Sequence, residues 1–241
     1  MIIPDGVELS RDIFMYRFIE NVEIGAVEEI PDEMFYAAEI QNLSISEGVK
    51  RIGELAFAGD FHGQYTLPTV TIPHSVEEFG EWIFYNRKIN ILIVKSEIIS
   101  EAAFSQMGRQ SGIVPIETLI IEDTVRRIEA EAFYDNQIYH KLVIPNSIEH
   151  IGDLAFARND LAIIEFQHNP EQLDALDIHI GWDGWYSGWD GDHEETAWET
   201  GTGEMYYFIQ VEEAFLEYYE NHEVFGHEEA DYYDISPISQ G

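Results

Sequence analysis

Cysteine is absent from the 241 residues, so neither disulfides nor thiolate metal sites hold the fold, and the redox compartment is left open. Basic residues are scarce: 12 Lys and Arg stand against 47 Asp and Glu, a formal net charge of −35. Phosphate backbones and anionic lipid surfaces are gripped by clustered Lys and Arg. Nucleic acid and charged membrane surfaces are therefore excluded as partners. No run of about 18 uninterrupted apolar residues occurs, which excludes insertion as a membrane-spanning helix. The opening residues show no basic segment followed by an apolar one, so no secretory signal is read there. Hydrophobic residues still make up 45% of the chain, enough to bury a core and to exclude global disorder.

What the chain has in abundance is self-similarity. "LVIPNSIEHIGDLAFARND" from Leu142 returns as "LSISEGVKRIGELAFAGD" from Leu43, "VTIPHSVEEFGEWIFYNR" from Val70 and "LIIEDTVRRIEAEAFYDN" from Leu119. Weaker copies are "MIIPDGVELSRDIFMYR" at Met1, "VEIGAVEEIPDEMFYAAE" at Val22 and the shortened "LIVKSEIISEAAFSQ" at Leu92. With Ile164, the apolar-x-apolar triplets begin eight times, at spacings of 21 to 27 residues. Phe14, Phe35, Phe57, Phe84, Phe104, Phe133 and Phe156 keep the same beat. A fixed period of this length marks a repeat architecture, in which one unit cannot bury its apolar face and stacked units can.

Each position of the unit has a physical reading. Residues two apart on a strand share a face, so Leu142 and Ile144 point inward and Val143 outward. Pro145, like Pro4 and Pro73, ends the strand because it has no N–H for a ladder bond. Ile148 and Ile151 dip back to the core. Gly152, Gly53 and Gly80 allow a tight bend at the place where a side chain would crowd the neighbouring coil. Ala155 gives clearance and Phe156 fills the gap between coils. The expectation is a solenoid of about eight coils over residues 1–167, with a single parallel β-sheet on one face and short helical or irregular turns opposite.

The order apolar-x-Ile-Pro, then Val or Ile, then Ile-Gly, then Ala-Phe resembles the BspA-like bacterial type of leucine-rich repeat. The resemblance covers roughly residues 1–167 and is carried best by the units at Leu43, Val70, Leu119 and Leu142; the unit at Leu92 lacks the Ile-Pro and Ile-Gly marks. It implies a leucine-rich-repeat scaffold without enzymatic activity, often an adhesin or surface protein that binds host or matrix proteins.

Residues 168–241 leave the period. The last basic residue is Arg158, and 21 Asp and Glu follow it, leaving −14 on the first 158 residues. Such a field repels like-charged proteins and favours cations or basic partners, less so as salt rises; it also suits plain solubility or salty surroundings. The tail is aromatic-rich, so it is expected to fold in part as an α+β or irregular region covering the C-terminal end of the coils. "MYYFIQV" reads as a strand, and "VEEAFLEYYENHE" places Val211, Ala214, Phe215 and Tyr218 at helical spacing. Two sharper readings compete with capping. Trp182, Trp185, Trp189 and Trp198, among Gly and Asp, are residues on which sugar rings stack while carboxylates accept hydroxyl hydrogens. Asp183, Asp190, Asp192 and Glu194 supply oxygens of the kind calcium takes, although "DGDHEE" lacks the glycine and distal glutamate of an EF-hand loop.

Catalytic motifs fail on spacing. His222 and His227 in "HEVFGHEE" are five apart, where a zinc site on one helical face needs four. Ser187 in "GWYSG" is one place off a nucleophile elbow, and no glycine-rich phosphate loop is present. Carboxylates are too common for any pair to signal glycoside hydrolysis, and the nine His residues are scattered. "NLS" at Asn42 matches a glycosylation acceptor by chance.

A partner is expected on the outward face of the sheet. One residue per coil faces solvent between each inward pair: Ile2, Glu23, Ser44, Thr71, Ile93, Ile120, Val143 and Glu165. At about 4.8 Å between coils, Ile93, Ile120 and Val143 form an apolar strip, flanked by Ile91 and Thr118. Two insertions, in the 27-residue units, add Tyr65, Met107 and Arg109 as loop contacts. The expected function is a non-enzymatic binding or structural protein that needs no cofactor and recognises another protein at a cell surface, in an envelope or in a virus-type particle. The alternative is a carbohydrate- or calcium-dependent adhesin working through the tryptophan segment.

Overall fold

The computed structural model of the chain describes residues 1–59, 66–105, 116–136, 138–157, 159–169, 172, 175–178, 207–211 and 233–237. In chain order the first strands are β1 (Ile2–Ile3), β2 (Phe18–Ile24), β3 (Glu29–Ile30), β4 (Glu39–Ile45), β5 (Arg51–Ile52), β6 (Thr66–Ile72), β7 (Glu78–Phe79), β8 (Lys88–Val94) and β9 (Ile98–Ile99). Then follow β10 (Ile116–Ile121), β11 (Arg127–Ile128), β12 (Tyr139–Ile144), β13 (His150–Ile151), β14 (Asp160–Phe166), β15 (Asp177–Ile178), β16 (Tyr207–Val211) and β17 (Tyr233–Pro237). Every pairing among them is parallel. The triplets fall at the ends of the long strands as expected, one strand per coil.

The expected single sheet is two ladders, both interrupted. The ladder of triplet-bearing strands runs as β1-β2-β4, β6-β8-β10 and β12-β14-β16-β17; a second ladder of two-residue strands runs along the turns as β3-β5-β7 and β9-β11-β13-β15. Both interruptions of the first ladder come where the arriving strand is followed by proline, Pro73 after β6 and Pro145 after β12. In paired coils that same position donates a hydrogen bond to the coil before it: Gly25 N–H to the Ile3 carbonyl at 2.7 Å, Ser46 to Ile24 at 2.9 Å, Lys95 to Ile72 at 3.1 Å, Glu122 to Val94 at 3.0 Å and Gln167 to Ile144 at 2.9 Å. Proline has no such donor. The seams of the two ladders are staggered, so β5-β7 and β11-β13 join the coils where the first ladder is open.

The core runs unbroken down the stack. The seven Phe rings lie face to face in one column, with neighbouring centroids 5.2 to 6.3 Å apart and planes within 3 to 16° of parallel. Ile, Val and Leu from both ladders surround it, with Ile148 and Ile151 buried as read from the unit. The glycines act by proximity: a Cβ at Gly53 would lie 2.4 Å from Asp32 N, at Gly80 2.2 Å from Glu54 N, and at Gly152 2.6 Å from Ala130 N. The bends themselves use other residues. Glu33, Leu55, Trp82, Ala102, Glu131 and Leu154 stand at one recurring place with φ between 51 and 56°, a left-handed conformation that costs an L-residue about 1–2 kcal/mol.

A second recurring feature lies three residues after the ring. Asn136 Nδ2 donates to the Phe104 carbonyl at 2.8 Å, Asn159 Nδ2 to the Phe133 carbonyl at 2.9 Å, and Arg87 Nε to the Phe57 carbonyl at 2.6 Å. All three side chains are buried, and each satisfies the carbonyl of the ring residue one coil earlier. Arg87 reaches further, its Nη2 donating to the Ala38 and Ala58 carbonyls at 2.7 and 3.2 Å.

In the tail, "MYYFIQV" contributes β16, as read from its pattern, and β16 lies parallel on β14 with β17 beyond it. Val211, expected at helical spacing, is instead the last residue of β16, and the rest of the expected helix around Phe215 falls outside the described residues.

Candidate functional site

The outward face of the first ladder follows from an irregularity repeated on β4, β6, β8 and β10. A regular strand alternates inward and outward; these strands read buried, outward, outward, buried, outward, buried, as in Ile89, Asn90, Ile91, Leu92, Ile93 and Val94. Since β6 and β10 carry the same extra outward residue, register survives and each coil presents a wider outer row. Thr69 pairs with Ile91, and Ile91 with Thr118; Thr71 pairs with Ile93, and Ile93 with Ile120. Thr71, Ile91, Ile93, Thr118 and Ile120 thus come together as expected, joined by Thr69, in an array of two columns over three coils about 4.8 Å apart. Ile91 is 36% and Ile120 40% exposed, and Ile93 and Thr71 are half-buried.

Two members of the expected column need correction. Val143 is half-buried on β12, across the seam from Ile120, and has no ladder bond to it; Pro145 removes the donor that would hold the two strands in register. Glu165 does not face solvent. It is 8% exposed, paired with Lys141 Nζ at 2.6 Å and flanked by β12 and β16. Tyr65, Met107, Arg109, Trp182, Trp185, Trp189, Trp198, Asp183, Asp190, Asp192 and Glu194 lie outside the described residues.

Electrostatics set this face apart. The exposed or half-buried positions of β6, β8 and β10 are Thr, Pro, Asn and Ile, with one cation and one carboxylate, Lys88 and Glu117, whose Nζ and Oε2 are 3.9 Å apart. On a chain of net charge −35, the face is electrically balanced. The outward rows of β2 and β4 carry Glu20, Glu23 and Glu39.

The second ladder presents a charged column instead: Glu29, Arg51, Glu78, Ile98, Arg127, His150 and Asp177. Arg51 pairs with Glu29 and holds Asp32 Oδ1 at 3.0 Å. Burial works against the Asp32 carboxylate, but the Arg51 bond and the Glu54 N–H at 2.9 Å outweigh it and hold its pKa below the ordinary value. His150 Nδ1 meets Asp177 Oδ2 at 2.7 Å, and its Nε2 lies 3.5 Å from Glu129. Surface pairs of this kind contribute little stability each, so the column reads as coil registration. His168 is different: buried, with Nε2 at 2.8 Å from the Ile148 carbonyl, it has its pKa pushed down by desolvation.

Sequence reasoning missed the buried donors Arg87, Asn136 and Asn159. Their signal was present, a polar residue three places after the repeated Phe. Thr69 lies one place before the triplet that begins at Val70 and so carries no mark of the repeat.

Comparison with known proteins agrees with the unit read above. A family model described as the BspA type leucine rich repeat region, in six copies, matches residues 28–113 and 110–176. No curated protein matches the chain. A solved structure of a leucine rich cell surface protein from Faecalibacterium prausnitzii A2-165 is 16% identical over 71% of this chain and 72% of that one, with a TM-score of 0.25. At that score the overlay carries no argument.

Proposed function

Because the chain belongs to the BspA-type leucine-rich repeat family, we propose that it is a non-enzymatic recognition scaffold that binds another protein through the outer face of β6, β8 and β10. The observation that carries this reading is the balanced charge of that face on an otherwise acidic molecule. Bringing a protein surface against carboxylates desolvates them at a large cost; against Thr and Ile it releases water from apolar area instead. Two columns of β-branched residues over three coils offer a flat core for such a contact, and Glu20, Glu23 and Glu39 on β2 and β4 form an acidic rim along one side of it. The rim favours a partner carrying Lys and Arg around an apolar centre. The setting is a cell surface, an envelope or a virus-type particle.

Co-purification from source material, with Ile120→Lys and Ile91→Glu beside the parent chain, tests this. Loss of the same partner band in both variants, with unfolding midpoints retained, supports the reading. Partners held equally by all three chains refute it.

The tryptophan segment favours the second reading, a carbohydrate- or calcium-dependent adhesin. Glycan arrays with and without calcium separate the two: glycan binding abolished by Trp185→Ala and Trp189→Ala, and indifferent to Ile120→Lys, assigns recognition to the segment.

A further inference from the structure

Beside the charged column of the second ladder runs another, one residue earlier in each coil: Glu28, Lys50, Glu77, Glu97, Arg126 and Glu149, all exposed. Backbone bonds hold the two columns in step. The Glu28, Lys50, Glu97 and Arg126 carbonyls each accept two N–H groups of the following coil, as the Lys50 carbonyl does from Glu77 and Glu78 at 2.8 and 3.1 Å and the Arg126 carbonyl from Glu149 and His150 at 2.8 and 3.3 Å. Between β7 and β9, where the ladder is open, Phe79 packs on Phe104 at 5.7 Å. Each coil therefore presents a side-by-side pair of residues on this face.

Over five successive coils the pairs are Lys50 with Arg51, Glu77 with Glu78, Glu97 with Ile98, Arg126 with Arg127, and Glu149 with His150. Four of the chain's 12 Lys and Arg stand here against four carboxylates, so the row is balanced on a chain of net charge −35. Its order has a symmetry that registration between coils does not require. One coil before Ile98 the pair is acidic and one coil after it is basic; two coils before it is basic and two coils after it carries the carboxylate Glu149. Turned end for end, the row sets its basic pairs on acidic residues. Laid parallel on a copy of itself it sets like on like. Ile98, at the centre, is an exposed apolar residue.

The charges are not used up within the chain. The Glu77 side chain pairs with Lys50 yet is 67% exposed, and that of Glu78, 3.9 Å from Arg51 Nε, is 75% exposed. Arg126 Nη1 donates to the Ser147 carbonyl at 3.2 Å and pairs with no carboxylate among the described residues. We propose that this face is a self-association surface, on which a second copy docks about a two-fold axis that lies in the face and crosses the stack at Ile98. Glu77 and Glu78 of each copy meet Arg126 and Arg127 of the other, Lys50 meets Glu149, Arg51 meets His150, and the two Ile98 side chains meet on the axis. The same patch on both subunits makes the contact self-complementary and closed. Two like-charged meetings remain. Glu97 faces its counterpart with Arg126 in the next coil, and Glu29 faces Asp177 where Arg51 and His150 already hold the two carboxylates.

Sedimentation velocity of the full chain over a range of concentrations tests the proposal by charge exchange. At about 0.15 M salt the Debye length of about 8 Å leaves the facing rows in reach and screens the rest. The parent chain is expected to show a monomer–dimer equilibrium. Arg126→Glu with Arg127→Glu sets acid on acid, and Glu77→Arg with Glu78→Arg sets base on base; each raises the dimer midpoint concentration more than about tenfold. An equimolar mixture of the two variants restores the dimer, because each supplies the sign the other lacks, and so does one chain carrying all four changes. Damage to the fold is not repaired by mixing. Ile98→Glu, which leaves the pairs within the chain intact, repeats the loss, and Ile120→Lys on the sheet face leaves the dimer unchanged. Since the chain has no cysteine, spin labels at Ser46→Cys and Asn146→Cys read the direction of docking. Each lies two coils from the axis on opposite sides, so Ser46 of one copy faces Asn146 of the other, while same-site labels stay roughly 19 Å apart along the stack. Monomer at every concentration, a mixture no more associated than its components, open-ended assembly, or same-site labels closer than the mixed pair each overturn the proposal.

Discussion

Replacing Gly80 by alanine tests whether coil spacing is set by the glycines or only tolerates them. The added Cβ would sit 2.2 Å from Glu54 N and 2.6 Å from both Glu54 Cα and Gly53 C, all backbone atoms that cannot swing aside. Ordinary contact begins near 3.4 Å, so the two coils must part by about 1.2 Å at this point. The Gly80 N–H bond to the Ile52 carbonyl, now 2.7 Å, then stretches past the range of a hydrogen bond. Its loss costs about 1 kcal/mol and the strained packing about 1–3 kcal/mol; reduced freedom of the unfolded chain returns about 0.5 kcal/mol. Gly80→Ala is therefore expected to lose about 2–3 kcal/mol. Gly6→Ala is the comparison, since its Cβ meets nothing within 4 Å and its penalty, at φ +69°, is backbone strain alone, about 1 kcal/mol. Urea unfolding gives both values from the midpoint and slope. If Gly80→Ala proves no more costly than Gly6→Ala, contact between coils at that glycine does not set the spacing.

The ring column makes Phe57→Ala expensive: with Phe35 and Phe84 each 5.3 Å away, the variant is expected to lose about 3–5 kcal/mol in urea unfolding. Asn136→Ala leaves the buried Phe104 carbonyl without its 2.8 Å donor, an expected loss of about 1–3 kcal/mol, whereas Asn146→Ala at an exposed turn changes the midpoint little. For His168, whose folded pKa lies below the ordinary 6.5, the unfolded chain binds the proton more readily, so its contribution is present above pH 6.5 and is lost as pH falls toward the folded value. The difference in unfolding midpoint between the parent and His168→Phe should shift over that window and be flat above it; no pH dependence of the difference there contradicts the burial argument.

The features legible in the sequence are those that recur with a side-chain signature. Period, ring column, glycine clearance and the outward register of Thr71, Ile93 and Ile120 all follow from residues repeated in place. The second ladder was not legible, because two-residue strands such as Arg51–Ile52 carry no alternation to detect. The left-handed positions escaped notice because Glu33, Trp82 and Leu154 share a conformation and no chemistry; each is held there by the coils around it. The seams were half legible. Pro73 and Pro145 mark strand ends in the sequence, but an interrupted ladder also depends on how the neighbouring coil is placed. The outward pair on β4, β6, β8 and β10 is not legible, because an extra residue that recurs from coil to coil leaves the repeat period unchanged.

Charge links the two contact surfaces, and salt tells them apart. Both the outer face of β6, β8 and β10 and the paired rows of the second ladder are near electrical balance on a chain of net charge −35, so each is a place where an approaching surface meets little net charge. Their surroundings differ. The sheet face is bordered on its β4 side by Glu20, Glu23 and Glu39, which attract a basic partner, so its complex weakens as the Debye length contracts. The second-ladder face meets a copy bearing the same net charge, so a short-range attraction works against a long-range repulsion. At about 0.01 M salt the Debye length is about 30 Å, the whole charge of each chain is felt, and repulsion wins. At about 0.1 M it is about 10 Å, which reaches little beyond the facing rows, and at about 1 M it is about 3 Å, where the facing rows are screened too. The dimer population therefore passes through a maximum as salt rises, while the recognition complex falls throughout. A recognition complex that strengthens with salt would mean the acidic rim does not attract its partner, and a dimer that only grows across the whole range would mean that opposed rows of charge are not what hold it.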